Sequence, residues 1–406
     1  MNGLTGMEIT RETDNQIEQE ILKQYQRIEG KALKTWPLAS QQVREVVCKV
    51  LWQSEEKAPR DIKGHISPLH KFEISGRTIL AGISFGGEVF FAEVKELIGE
   101  GDFGQVFALL STFKKEIAIK IPKQGHENAL EHEWDVLFNL HGKEKRSGIQ
   151  SLPKGCFVIE YDGRSTTVMV MERYKSSLLD LLESNPSPFS NVKEVLLAFR
   201  VLIKGMIPCS KDWFHRDIHV RNIFVKVKKN SKTKLVIADW GLSLLRKLYN
   251  KDLNLDRWKE FAIFFRDRVE KFKKEGIIEG EQIPFPVEET AENIEKAYDC
   301  VMHSRDVLGL GMVLYDLLAY MFPLKEDYGI KWKALKTGVP SHTLAYRIKA
   351  FVEELVEDVY KKNTIAGMEF SFPKRPTIEE AASQLDNILE DYDKAKEAFA
   401  VTDLGN

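Results

Sequence analysis

The sequence predicts an α+β fold of two lobes, a small β-rich one followed by a larger helical one, preceded by a helical and β-hairpin extension. Three observations carry this reading. At 406 residues the chain is too long for one ordinary small domain and fits two lobes or two domains. Hydrophobic residues make up 43%, enough for a sizeable core. Strand-forming residues broken by glycines concentrate between about 71 and 172, and helical periodicity dominates beyond. The expected boundaries are 1–90 for the extension and 91–395 for the two lobes, divided near 172 and 173. Such an arrangement offers a natural cleft between its parts.

Each element has its own signal. Ile17, Ile21, Tyr25 and Ile28 recur at helical spacing, as do Val43, Val46, Val47 and Val50, with Pro37 between the two runs. Residues 71–97 then carry Phe72, Ile74, Ile79, Leu80, Ile83, Phe85, Val89, Phe91 and Val94 between glycines, the pattern of successive strands. A strand from about 92 leads through a glycine-rich turn to another that ends at Lys120. A helix over 127–140 follows, then strands near 157–161 and 167–172. The apolar run 307–322 is interrupted by Asp316 and is too short to span a bilayer, so it reads as a buried helix.

Composition excludes several functions. Lysine plus arginine (59) nearly balance aspartate plus glutamate (61), and the net charge of -2 argues against nucleic-acid binding. Cys48, Cys156, Cys209 and Cys300 are far apart, which disfavours a zinc site or disulfide framework and fits a reducing cytosol. Residues 1–14 are polar, without an apolar signal core. The expectation is a cytoplasmic protein without a membrane partner.

Three motifs carry chemistry. In Gly99-Glu100-Gly101-Asp102-Phe103-Gly104-Gln105-Val106 the glycines allow a backbone turn to approach phosphate oxygens. A dinucleotide-binding turn would run straight into a helix, whereas Val106, Phe107, Ala108 and Leu109 continue as a strand. Next, Ile117-Ala118-Ile119-Lys120 ends an apolar strand in a lysine, which is costly to bury unless it meets anions. Glu133, on a helical stripe with Val136, Leu137 and Leu140, is the expected partner; Glu131 is the alternative. The third motif is the strongest. Phe214-His215-Arg216-Asp217-Ile218-His219-Val220-Arg221-Asn222 precedes the strand Ile223, Phe224, Val225, and Leu235, Val236, Ile237, Ala238 lead into Asp239-Trp240-Gly241. Two strands with polar ends place Asp217, Asn222 and Asp239 at one edge. A carboxylate there can accept a hydroxyl proton, and a carboxylate with a carboxamide oxygen suits Mg²⁺.

Over about residues 92–390 the chain resembles the eukaryotic-type protein kinase family, as a divergent member. The resemblance implies a kinase-like fold, ATP and Mg²⁺ as cofactors, and transfer of a phosphoryl group to a protein substrate. By that likeness the turn from Ile98 through Glu100, Asp102 and Phe103 holds ATP, with Gly99, Gly101 and Gly104 over the phosphates. Lys120 holds the α- and β-phosphates and pairs with Glu133; Asp217 positions the acceptor hydroxyl; Asn222 and Asp239 hold Mg²⁺. Residues 168–174 look like the segment joining the lobes. Met171 would back the adenine pocket, backbone groups of Glu172 and Tyr174 would bond the base, and Val106, Ala118 and Phe224 would sandwich it. Asp306, in Ser304-Arg305-Asp306, resembles the family's brace for the catalytic loop, and Arg375 its structural salt-bridge arginine.

Departures from the pattern are informative. Trp240 replaces the usual phenylalanine and is expected to pack with His215 and Leu137. His219 stands where serine/threonine kinases usually carry lysine, and Arg221 resembles the tyrosine-kinase pattern. The prevalence of serine/threonine enzymes favours that acceptor class, with tyrosine left open. Asp239 and Asp306 are 67 positions apart, unusually far, and Pro286-Val287-Glu288-Glu289 is the nearest substitute for the missing Ala-Pro-Glu. That makes Glu288 a candidate partner for Arg375. Leu255, Trp258, Phe261, Phe265, Val269 and Phe272 predict an amphipathic helix near 254–275. The competing functions are a small-molecule kinase of similar fold and a pseudokinase scaffold.

Overall fold

The computed structural model describes residues 66–74, 77–84, 89–101, 103–111, 116–141, 147–161, 163–183, 189–227, 233–245, 291–323, 330–356, 360–365, 368–373 and 375–403. The helices expected over 15–55 and 254–275, together with Asp102 and Glu288, lie outside the described residues. The chain divides into two compact units. The first takes in the described residues up to Asn139 and Ser151–Arg173; the second takes in Leu140–Gln150 and the chain from Tyr174 onward.

The first unit contains β1 (Ile66–Pro68), β2 (His70–Ile74), β3 (Arg77–Ile83), β4 (Val89–Glu100), β5 (Gly104–Ser111), β6 (Ile117–Pro122), nearly all of α1 (Glu127–His141), β7 (Gly155–Tyr161) and β8 (Arg164–Glu172). The eight strands form one sheet in the order β1-β7-β8-β6-β5-β4-β3-β2. The stretch β2 to β6 is an antiparallel meander, which short connections in the chain permit. β1 instead runs parallel to β7, with Ile66 opposite Cys156. The sheet therefore begins before residue 91. Strands within the expected extension continue its hydrogen-bond ladder, with Leu80 opposite Ala92. Leu69, Leu80, Phe90, Ile117, Ile119, Ile121, Phe157 and Val168 belong to its apolar core. Phe90 and Phe157 meet edge to face at 5.6 Å.

The second unit is mostly helical. It starts with β9 (Ser176–Ser177), α2 (Leu178–Glu183) and α3 (Val192–Ser210). α3 begins where the Asn191 side chain accepts the Glu194 N–H at 3.0 Å. Its buried Val195, Leu196, Phe199, Leu202, Ile203 and Met206 follow the helical period. Next come β10 (Trp213–Phe214), β11 (Ile223–Val227), β12 (Thr233–Ile237) and β13 (Leu244–Leu245). β11 pairs antiparallel with both β12 and β9, and β10 pairs with β13. The unit closes with α4 (Ala291–Met321), α5 (Trp332–Leu335), α6 (His342–Val356), the hairpin β14 (Tyr360–Ile365) and β15 (Met368–Pro373), and α7 (Ile378–Asp403). α3 packs against α4, α7 and β12. Ion pairs join α3 to α7: Lys193 meets Asp393, and Arg200 and Lys204 reach Asp386 at 2.5 and 2.7 Å. The apolar run 307–322 falls almost wholly within α4, where Val307, Leu310, Val313, Leu314, Leu317 and Leu318 are buried. Among the described residues no helix is long and apolar enough to cross a membrane.

Candidate active site

In the first unit the side chains of interest hang on regular structure. β5, β6 and β8 alternate with period two, and the register sets Val106 opposite Lys120, Ala118 opposite Met171, and Lys120 opposite Met169. Val106, Ala118, Lys120 and Met171 therefore share one sheet face, while Ile117, Ile119 and Ile121 enter the apolar core on the other. Lys120 Nζ donates to Glu133 Oε2 at 2.8 Å, and the carboxylate is almost completely buried. The rival glutamate is otherwise engaged: Glu131 Oε1 accepts the Thr167 hydroxyl at 2.8 Å. The half-buried lysine thus has its counter-charge, which offsets the cost of placing it there.

The glycine turn joins β4 to β5. Gly101 N–H donates to Gly104 O at 3.0 Å, and Lys123 N–H donates to Phe103 O at 2.9 Å. Lys123 also meets Glu100 at 2.9 Å on the surface. A methyl group on Gly104 would lie 2.6 Å from the Ile121 carbonyl oxygen, so close strand packing demands glycine there. No such demand exists at Gly101, where a Cβ would meet nothing within 4 Å. Ile98 and Phe103 are exposed, and Phe103 packs edge-on against His126 at 5.2 Å. Farther along, the Glu172 carboxylate accepts the Ser151 hydroxyl at 2.7 Å.

In the second unit the corresponding residues sit on irregular backbone. Residues 215–222 form a loop between β10 and β11, and Asp239 follows β12. Asn222 Nδ2 donates to Asp217 Oδ2 at 2.9 Å and to Asp217 O at 3.0 Å. His219 Nε2 lies 3.4 Å from Asp217 Oδ2, while its Nδ1 accepts the Arg221 N–H at 3.2 Å. Ala238 N–H donates to Asn222 O at 2.9 Å, tying the two stretches together. Asp217 and Asn222 are thereby brought into direct contact, with Asp239 one residue beyond that tie.

Two residues here adopt the left-handed region without being glycine: Arg216 at φ 71 and Asp239 at φ 61. Each such conformation costs about 1–3 kcal/mol and persists only where neighbours over-determine it. For Arg216 the brace is Asp306 on α4. Its buried carboxylate accepts the His215 N–H at 2.8 Å and the Arg216 N–H at 2.7 Å. Gly309, one turn on, is held to glycine because a Cβ would lie 2.6 Å from the Ile218 carbonyl oxygen. For Asp239 the N–H donates to Gln150 Oε1 at 3.2 Å, a residue no motif flags.

Electrostatics follow from these contacts. Burial lowers His215 to about 4, against the opposing pull of Asp239, the Ala238 carbonyl and Asp217. The ring is neutral at pH 7, and its bonds agree. Nε2–H donates to Ala238 O at 3.1 Å, and Nδ1 accepts the Asp217 N–H at 3.3 Å. Trp240 meets this ring edge-on at 4.5 Å, as expected of that pair. For Asp217 burial is the largest influence and raises the carboxyl. The hydrogen bond and charge of His219, with His215 and Arg305, outweigh it and hold Asp217 below its ordinary value. Asp306 is pushed up to about 6 by burial, despite its two backbone donors. The last expected adenine neighbours meet each other: Tyr174 and Phe224 stack at 5.5 Å. Arg375 donates to Leu355 O at 2.9 Å and to the Ser304 hydroxyl at 2.6 Å, anchoring the start of α7 to α6 and α4.

A family model described as a protein kinase domain matches residues 92–256, which include every candidate site residue above. Within residues 92–256 the chain is similar to the protein kinase family. The match stops well short of 390, so the kinase reading of Asp306 and Arg375 rests on their contacts and on the motif likeness. Two curated proteins are similar to part of the chain. The Probable casein kinase I homolog of Encephalitozoon cuniculi is 28% identical over 162 residues, 39% of this chain and 47% of that protein. Ephrin type-B receptor 1-A of Xenopus laevis is 29% identical over 163 residues, 38% of this chain and 15% of that receptor. The aligned part thus spans about half the length of the first kinase and far less of the second.

Proposed function

We propose that this chain is a protein kinase that transfers the γ-phosphoryl group of MgATP to a hydroxyl on a protein. The observation that carries the reading is the Asp217 cluster: a carboxylate kept ionised, fixed by Asn222 and His219, in a loop clamped by a buried aspartate. Ionised Asp217 can accept a hydrogen bond from the acceptor hydroxyl, orient the oxygen and take its proton as the new P–O bond forms. Lys120, held by Glu133, supplies a fixed positive charge for the α- and β-phosphates. The glycine turn offers backbone N–H groups, and the open space over Gly101 admits a phosphate oxygen. Most of the rate enhancement is assigned to positioning and charge neutralisation.

Mg²⁺ fits the donors present. Among the described residues no three His, Cys, Asp or Glu side chains converge as a closed metal cage. Mg²⁺ in phosphoryl-transfer sites rarely uses one; it takes one or two protein oxygens and completes its shell with phosphates and water. Asn222 turns its Nδ2 toward Asp217, which leaves Oδ1 for a cation, and Asp239 supplies a carboxylate. The ion would neutralise charge on the phosphates.

A serine or threonine acceptor, protein substrates and a cytoplasmic location complete the proposal. Tyrosine is the second reading, favoured by Arg221 and by the likeness to an ephrin-type receptor. The test is incubation with γ-labelled ATP and Mg²⁺, with a generic protein, amino sugars or no acceptor. Asp217→Asn should lower transfer to protein about 10²–10⁴-fold. Phosphoamino-acid analysis then reads the acceptor class. Label on sugars alone, or full activity of Asp217→Asn, would overturn the proposal.

A further inference from the structure

The left-handed backbone of Asp239 needs a second support besides the strand that precedes it, and one lies 89 positions upstream. Gln150 is almost fully buried, at 2% exposure, and its Oε1 accepts the Asp239 N–H at 3.2 Å. Its own backbone is fixed at both ends. Gln150 N–H donates to Ile237 O at 2.7 Å, and Ile237 N–H returns to Gly148 O at 2.8 Å, so residues 148–150 run as a short parallel rung beside β12. Gln150 O accepts a bond from His141 Nε2 at 2.5 Å; because a carbonyl can only accept, that nitrogen carries the proton. The turn beneath is locked against α3. Gly148 has φ +85, and a Cβ on it would lie 2.1 Å from the Val201 carbonyl oxygen. In return, a Cβ on Gly205 would lie 2.4 Å from the Ser147 carbonyl oxygen.

We propose that Gln150 is a positioning residue for the metal-holding carboxylate: its amide oxygen fixes the Asp239 peptide and so the direction in which that side chain points. The chemistry suits a neutral amide. Glutamate would set a second negative charge beside the Asp239 carboxylate in a buried place, and an apolar side chain of equal size would leave the Asp239 N–H without this acceptor. Gln150 touches neither nucleotide nor metal in this role; it acts through Asp239. The inference rests on the kinase reading, because only there does the carboxylate hold Mg²⁺.

The test uses the full chain and the isosteric variant Gln150→Met, with thermal melting to establish that it folds. Two readouts do not depend on turnover. Hydrogen exchange of the Asp239 amide should quicken about tenfold or more in Gln150→Met, with amides of β11 unchanged. Mn²⁺ binding in the presence of ADP, followed by electron paramagnetic resonance, should weaken several-fold, whereas ADP affinity without metal should stay within twofold. In the kinase assay the Mg²⁺ concentration for half-maximal rate should rise, with KM for the protein substrate unchanged. Gln150→Asn keeps the amide and should recover part of each effect. Unaltered Asp239 exchange and unaltered Mn²⁺ affinity in a folded Gln150→Met protein would overturn the inference. A wild-type protein that binds Mn²⁺ and ADP through neither Asn222 nor Asp239 would instead overturn the kinase reading beneath it. If Gln150→Met does not fold, Gln150→Leu, which also lacks the amide acceptor, carries the same two measurements and decides on the same outcomes.

Discussion

The Lys120–Glu133 pair and the Asp217–Asn222 loop solve the same problem, placing charged groups, with opposite means. Lys120 and Glu133 hang on a strand and a helix of ordinary geometry, 13 positions apart, and an ion pair ties them together. The loop groups hang on left-handed, strained backbone, and their supports come from afar: Asp306 lies about 90 positions away in sequence and Gln150 89 from Asp239. Regular structure positions a side chain through its period. Irregular structure can aim a side chain where no period would, at the cost of depending on buried groups elsewhere in the chain.

That contrast has a measurable order. Asp306→Ala should have the largest effect on folding. It strips the acceptor from two N–H groups in the loop, which costs about 4 kcal/mol in urea denaturation. Asp306→Asn, retaining one acceptor oxygen, should recover roughly half of that. If Asp306→Ala unfolds at the wild-type midpoint, the loop needs no remote brace and the comparison collapses. Lys120→Met should come next, at about 3 kcal/mol, because it strands Glu133 in a buried place. Lys120→Met with Glu133→Leu should restore most of that loss while phosphoryl transfer stays abolished. Equal melting of the single and double variants would mean that the pair contributes to stability by something other than its charges. The smallest effect separates two glycines in one turn. Gly104→Ala should cost about 1–3 kcal/mol, since the new methyl meets the Ile121 carbonyl. Gly101→Ala should change stability by no more than about 0.5 kcal/mol and act instead on KM for ATP. The reverse pattern would assign the phosphate role to the other glycine.

The same division decides how much was legible in the sequence. β5, β6 and α1 showed themselves through β-formers, a glycine turn and a helical stripe, since each element follows a local period. The residues 214–222 and 239–241 were legible as a motif, because polar groups at the ends of apolar strands are few and their spacing is tight. The helical stripe favoured Glu133 over Glu131 as the partner of Lys120; that the Thr167 hydroxyl, on a different strand, engages Glu131 had no local signal. Gln150 gave no signal whatever, being a neutral side chain whose partner is a backbone N–H 89 positions on. β3 was readable among the β-formers of residues 71–97 and β1 was not, and the place of neither in the main sheet was legible, because pairing partners are chosen by tertiary packing.

The position of β1 has a kinetic consequence. Ile66 finds its rung beside Cys156 only after the whole meander and α1 lie between them in the chain. The contacts of β2 through β6 are local and close early, whereas the β1–β7 ladder requires a long loop to shut before any hydrogen bond forms. During synthesis the first strand therefore waits, unpaired, for a partner that is made last but one in its sheet. A segment in that position is the one most exposed to mispairing, and the rate of its docking sets when the edge of the sheet is finally covered.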